Sequence, residues 1–112
     1  MRGQHLGELE ELVLITTAIL GESYTVSIVS EVEENIGRKL TLSAVHTVLV
    51  RLEKKGFLRS FMGGATQERG GRRRRLYKIT ASGYAAMNEA KELRTQLWSK
   101  VPTLSFDLSS TN

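Results

Sequence analysis

The chain contains no cysteine, two histidines and a single proline, Pro102. Without thiols it has no disulfide framework and no thiolate metal site, which fits a cytoplasmic protein. His5 and His46 lie too far apart in sequence to suggest a pair, and the acidic residues fall on helix faces expected to be solvated. Gly63-Gly64 and Gly70-Gly71 lack the strand, glycine loop and helix that surround a phosphate-binding fingerprint. The expectation is a protein with no catalytic site, no metal and no cofactor. Long apolar runs are missing too. The longest, residues 12–20, is broken by Thr16 and Thr17 and falls short of the ~18 residues a membrane helix needs. No basic stretch precedes an apolar segment with a small-residue cleavage site, so neither a membrane partner nor a signal peptide is expected.

What is present points to a small globular domain. The 112 residues argue for one domain. Leu, Ile, Val and Phe total 31, too many for a wholly disordered chain. A domain of this size buries a modest core, which leaves room for help from oligomerisation. The net charge of +4 conceals an asymmetry. Residues 1–50 carry three bases and seven acids, whereas residues 51–78 carry ten bases and two acids. A 28-residue segment at +8 beside an acidic one suggests a surface for a polyanion, most commonly nucleic acid.

The periodicity gives the order of elements. Leu9, Leu12, Val13, Ile19 and Leu20 recur at helical spacing, and Glu8, Glu10 and Glu11 complement the dipole of the first turn. Gly21 stops this helix. Thr25 is placed to cap a second helix with the stripe Ile28, Val29, Val32 and Ile36, ending at Gly37. Arg38-Lys39-Leu40 is expected to add a small strand. Thr41 or Ser43 then caps a third helix, with Val45, Val48, Leu49 and Leu52 on one stripe and Gly56 at its end. Residues 57–62 and 75–79 read as strands of a hairpin with a polar, glycine-rich tip. Thr80 caps a fourth helix in which Tyr84, Met87, Ala90, Leu93 and Leu97 recur every three or four residues. The expected fold is mainly α with a small β-hairpin wing. It comprises a winged helix-turn-helix domain over residues 6–80, a C-terminal dimerisation helix over 81–101 and a flexible tail over 102–112.

The stripe on the third helix leaves Ser43, Ala44, His46, Thr47, Val50 and Arg51 facing outward. Short side chains near the start of such a helix reach base edges in the major groove, and Arg51 reaches phosphate or guanine. In the hairpin tip, Arg69 and the run Arg72 to Arg75 flank Gly70-Gly71. A guanidinium is permanently charged, is shaped to fork onto phosphate and enters narrow minor grooves, so Arg72 and Arg73 are expected on DNA. On the fourth helix, Met87, Leu93, Leu97 and Trp98 supply apolar area that a twofold mate would bury. Trp98, the only tryptophan, either packs in that dimer or lines an effector pocket between subunits.

Together these pieces resemble PadR-type winged-helix transcriptional regulators over about residues 6–98. The resemblance rests on Leu9 to Leu14, on Tyr24 to Ile28, and on Ser43 to Gly56 with its Arg51-Leu52-Glu53-Lys54-Lys55-Gly56 end. It continues through Glu68-Arg69-Gly70-Gly71-Arg72 to Tyr77-Lys78-Ile79-Thr80 and Gly83. It implies a short-tailed homodimer on inverted-repeat operator DNA, usually a repressor, released by a small molecule or a stress signal. The partners implied are double-stranded DNA and a second copy of the chain; the resemblance names no particular effector, and a small apolar or aromatic one is what the pocket reading of Trp98 would take. Family members usually carry a small residue at Ser43, Tyr at His46 and a polar residue at Val50, so the base sequence read does not carry over. The alternative is a winged-helix protein-interaction module that binds no DNA, since fold alone does not fix function.

Overall fold

The computed structural model describes residues 6–63 and 74–103 of the chain. In chain order the elements are α1 (Glu8–Leu20), β1 (Ser23–Tyr24), α2 (Thr25–Ile36), α3 (Leu42–Lys54), β2 (Leu58–Met62), β3 (Arg75–Ile79) and α4 (Ala81–Ser99). The strands form one antiparallel sheet in the order β1–β3–β2. Helix, short strand, two helices and a hairpin make a winged helix-turn-helix, with α4 appended. Among the described residues no helix is long and apolar enough to cross a membrane.

Glu10 folds back over the first turn of α1, where its Oε1 accepts the Gly7 N–H at 2.8 Å. That satisfies one of the donors a helix start leaves open. Thr16 and Thr17, which interrupt the apolar run in sequence, are buried with Val13 and Leu14. Their hydroxyls donate to the carbonyls of Leu12 and Val13 at 2.8 and 2.9 Å, so burying them strands no donor.

Two local expectations change. Arg38-Lys39-Leu40 forms no strand. The Leu40 N–H donates to the Glu33 carboxylate at 2.7 Å, and this bond shapes the turn between α2 and α3. The third strand is instead Ser23–Tyr24, paired with Tyr77 and Leu76 of β3. Drawing Tyr24 into the sheet makes it, rather than Thr25, the residue flanking the start of α2. Gly37 ends α2 at φ 71°, a left-handed conformation that glycine adopts without a Cβ penalty. Thr41 caps α3 by accepting the Ala44 N–H at 3.1 Å.

The core gathers where the stripes converge. Val45, Val48, Leu49 and Leu52 of α3 meet Val13 and Leu14 of α1 and Ile28 and Val32 of α2. Phe57, Leu58 and Tyr77 close it from the sheet side. In the β2–β3 register Ser60 lies opposite Tyr77 and Leu58 opposite Ile79, so these four share the inner face, while Arg59, Phe61, Leu76 and Lys78 share the outer one. Burial pushes the Tyr77 phenol up from its ordinary range. Glu53 adds to that shift and Arg75 partly offsets it.

Thr80 joins the winged domain to α4 with three bonds. Its N–H donates to the Phe57 carbonyl at 3.1 Å, its hydroxyl donates to the Gly56 carbonyl at 2.7 Å, and the same oxygen accepts the Gly83 N–H at 3.0 Å. Gly83 itself lies against the Phe57 backbone, where a Cβ would stand 2.1 Å from the carbonyl oxygen. One turn on, Ala86 and Met87 pack against the core, and the rest of α4 leaves it.

Candidate nucleic-acid interface

The four buried stripe residues fix the rotation of α3 and thereby its outer face. Ser43, His46, Thr47 and Arg51 are exposed on it, and Ala44 is half-buried beside the Thr41 cap. Val50, expected outside, is half-buried at the edge of the stripe. Leu42, which the stripe does not single out, is 52% exposed in the first turn. A side chain there has the chemistry to meet a thymine methyl beside the donors of Ser43, His46 and Thr47. α4 packs against α1, which leaves this face of α3 open.

The wing is tied to the far end of α3. The Ser60 hydroxyl donates to Glu53 Oε2 at 2.7 Å and accepts from Arg75 Nη1 at 2.9 Å. Next to Arg75, the Arg74 guanidinium stands 5.1 Å over the Tyr24 ring, a cation–π contact that braces β1 against the wing base. Arg74 and Arg75 therefore point to opposite faces of the sheet. Arg72 and Arg73, with the rest of the tip, lie outside the described residues. The segment expected to meet a polyanion as a whole is thus divided, with Arg74, Arg75 and Lys55 engaged in holding the fold. Lys54 and Arg59 are exposed, as is Arg51.

Two acidic residues expected on a solvated face are buried. Glu10 is 6% exposed and Glu11 9%. Lys55 Nζ donates to both Glu10 oxygens at 2.9 and 3.1 Å, and Arg51 Nε lies 4.0 Å away. Burial alone would raise the Glu10 carboxyl, but the Gly7 N–H, Lys55 and Arg51 together hold it below the ordinary carboxylate range. Glu11 turns to α4, where Arg94 Nη1 donates to both of its oxygens. The Glu11 pairing raises the Arg94 guanidinium further above its ordinary value.

α4 changes character along its length. Met87 is half-buried against the protomer's own core, whereas Leu93, Leu97 and Trp98 are 57, 56 and 72% exposed. Between α1 and α4 runs an open groove of about 410 Å³, with Ile15, Tyr84, Met87 and Trp98 as apolar walls and Glu11, Lys91 and Arg94 at its edge. Among the described residues no group of three or more His, Asp or Glu is placed to hold a metal ion.

Residues 12–89 match the family model of the transcriptional regulator PadR-like family. No protein of curated function matches by sequence. Among solved structures, a PadR-like transcription factor from Bacteroides fragilis is 20% identical with a TM-score of 0.71, covering 81% of this chain and 84% of that one. A PadR family transcription regulator from Clostridium difficile R20291 is 23% identical with a TM-score of 0.68, covering 83% and 93%. A protein from Streptococcus mutans UA159 is 31% identical with a TM-score of 0.58, covering 81% and 76%.

Proposed function

The chain belongs to the PadR-like family of transcriptional regulators, and from that premise we propose that it acts as a homodimeric repressor on an inverted-repeat operator. One observation carries the reading. The row Ser43, His46, Thr47 and Arg51 is exposed among the described residues, on a helix whose other face is locked into the core. In this reading Ser43, Ala44, His46 and Thr47 approach base edges and Arg51 meets phosphate. Arg72 and Arg73 of the wing take the backbone or the minor groove.

Leu93, Leu97 and Trp98 pack against the mate, which sets two copies of α3 about one helical turn, ~34 Å, apart. The α1–α4 groove beside that contact takes a small apolar or aromatic effector that releases the DNA. Selection of bound duplexes from a random pool tests the first part, and an inverted repeat with half-sites one turn apart is the expected result. A pool that yields no enriched sequence supports the protein-interaction alternative. Quenching of Trp98 fluorescence by a planar aromatic compound tests the effector, and a spectrum unchanged across a broad panel assigns Trp98 to packing alone.

A further inference from the structure

α1 carries two adjacent carboxylates that reach different neighbours. Successive positions of a helix lie about 100° apart, so Glu10 and Glu11 cannot face one partner. Glu10 meets α3 through Lys55 and Arg51, and Glu11 meets α4 through Arg94. Both carboxylates are buried, whereas Arg51 and Arg94 are more than half exposed; the short contacts are Glu10 to Lys55 and Glu11 to Arg94, and Arg51 stands 4.0 Å from Glu10. These are two separate sets of ion pairs, joined only by the α1 backbone between Glu10 and Glu11, and their outer members lie at the two candidate sites. Arg51 stands on the exposed face of α3, and Arg94 stands at the groove beside Trp98.

We propose that Arg94 is a positioning residue for DNA binding: through Glu11 and Glu10 it sets where Arg51 stands on α3. The inference rests on the DNA-binding reading above. Glu10 meets Arg51 on its Nε side, which leaves the outer guanidinium nitrogens for phosphate. With Arg94 in place, Glu11 is neutralised and the first turn of α1 is held from both sides. When Arg94 is withdrawn, a buried carboxylate beside Glu10 loses its counter-ion, which is costly. The first turn of α1 then shifts to hydrate Glu11. Glu10 moves with it, and Arg51 and Lys55 follow Glu10. An aromatic occupant of the groove whose own carboxylate or phenolate pairs with Arg94 would act in the same way as its removal, so α1 connects the groove to the face of α3.

A double-mutant cycle tests the coupling directly. The full chain, its Arg94→Gln and Glu10→Gln variants and the double variant are titrated against the selected operator at fixed salt. Fluorescence anisotropy reads binding, and sedimentation and thermal melts are recorded for each protein. Arg94→Gln is expected to weaken binding about fivefold or more in the wild-type background. In the Glu10→Gln background the same change is expected to cost less than about twofold. Arg94→Lys, which keeps the charge, is expected to restore most of the affinity. Equal loss in both backgrounds overturns the proposal, because Arg94 then acts through assembly or general stability. No loss in either background overturns it as well, and so does a loss that vanishes at protein concentrations saturating the dimer. If the wild-type chain selects no DNA, the functional reading falls together with the inference, a result distinct from an additive cycle.

Discussion

Replacing Gly83 by alanine is expected to damage the protein despite alanine's higher helix propensity. Gly83 is the third residue of α4, where Ala in place of Gly would ordinarily gain about 0.5–1 kcal/mol. The added Cβ, however, would stand 2.1 Å from the Phe57 carbonyl oxygen and 3.0 Å from both its carbon and Ile79 Cγ1. Two of those three atoms are backbone, so no rotamer change relieves the clash, and α4 must lift away from the start of β2. Overpacking of this kind costs roughly 1–3 kcal/mol. Lifting α4 also stretches the Thr80 bonds to Phe57 and Gly56, each worth about 1 kcal/mol. The net expectation is a loss of about 2–3 kcal/mol, which lowers the melting temperature of a domain this size by about 10 °C. Thermal and urea unfolding followed by circular dichroism, at several protein concentrations, measure it. A Gly83→Ala protein as stable as the wild type would show that α4 is not seated on Phe57, and the placement of the groove would fail with it.

Arg72→Ala/Arg73→Ala is expected to keep the dimer while weakening operator binding, with the slope of log affinity against log salt shallower by about two; an unchanged slope places those residues off the phosphates. Trp98→Ala is expected to weaken dimerisation by about 2 kcal/mol or more, roughly thirtyfold in the sedimentation equilibrium constant, and an unmoved constant refutes the α4 interface. The acid limb of the stability curve is expected to depend on Glu10. Its folded carboxyl lies below the ordinary 4.5, so the unfolded chain takes up the proton first. Its contribution is therefore intact above that ordinary value and is lost as pH falls through the folded value. Glu10→Gln is expected to flatten the fall of the urea midpoint as pH drops below the ordinary carboxylate value, and a limb as steep as wild type assigns acid unfolding to other carboxylates.

The helices were legible because each carries apolar residues at helical spacing and begins or ends on a residue with a local reason to be there; α2 and α3 bury that stripe, whereas Ile19 and Leu20 of α1 and Tyr84, Leu93 and Leu97 of α4 stay exposed. Thr41, Thr80 and Gly37 stand where caps and a left-handed turn are needed. The hairpin strands were legible from their alternation. β1 was not, since two residues are too few to show a period, and its existence depends on Tyr77 and Leu76 more than fifty positions away. The buried acids were hidden for a related reason. Acidic residues in a first turn already make sense as complements of the helix dipole, and nothing local announces that their partners lie 45 and 83 positions further on. The basic run misled in the opposite direction. Charge density marks a segment for a polyanion but cannot say which members are held by Ser60, Tyr24 or Glu10.

The two halves of α4 follow different rules, the first anchored on its own chain and the second fully exposed. From Ala81 to Ala90 the helix is anchored on its own chain by Gly83 against Phe57 and by Ala86 and Met87 on the core, while Tyr84 is left 60% exposed. From Lys91 to Ser99 every residue is exposed, yet Leu93, Leu97 and Trp98 are apolar. Exposed apolar side chains occur singly on most proteins without meaning. Three lie within six residues of one helix, and Trp98 among them lines the groove, which makes this half of α4 the candidate interaction surface. Arg94 lies within that half and is the residue of it that reaches back to α1. In the proposed dimer a mate docked along Leu93, Leu97 and Trp98 would bear on α4, whose Arg94 pairs with Glu11 of α1, so the double-mutant cycle at Arg94 and Glu10 also asks whether assembly and DNA contact are coupled.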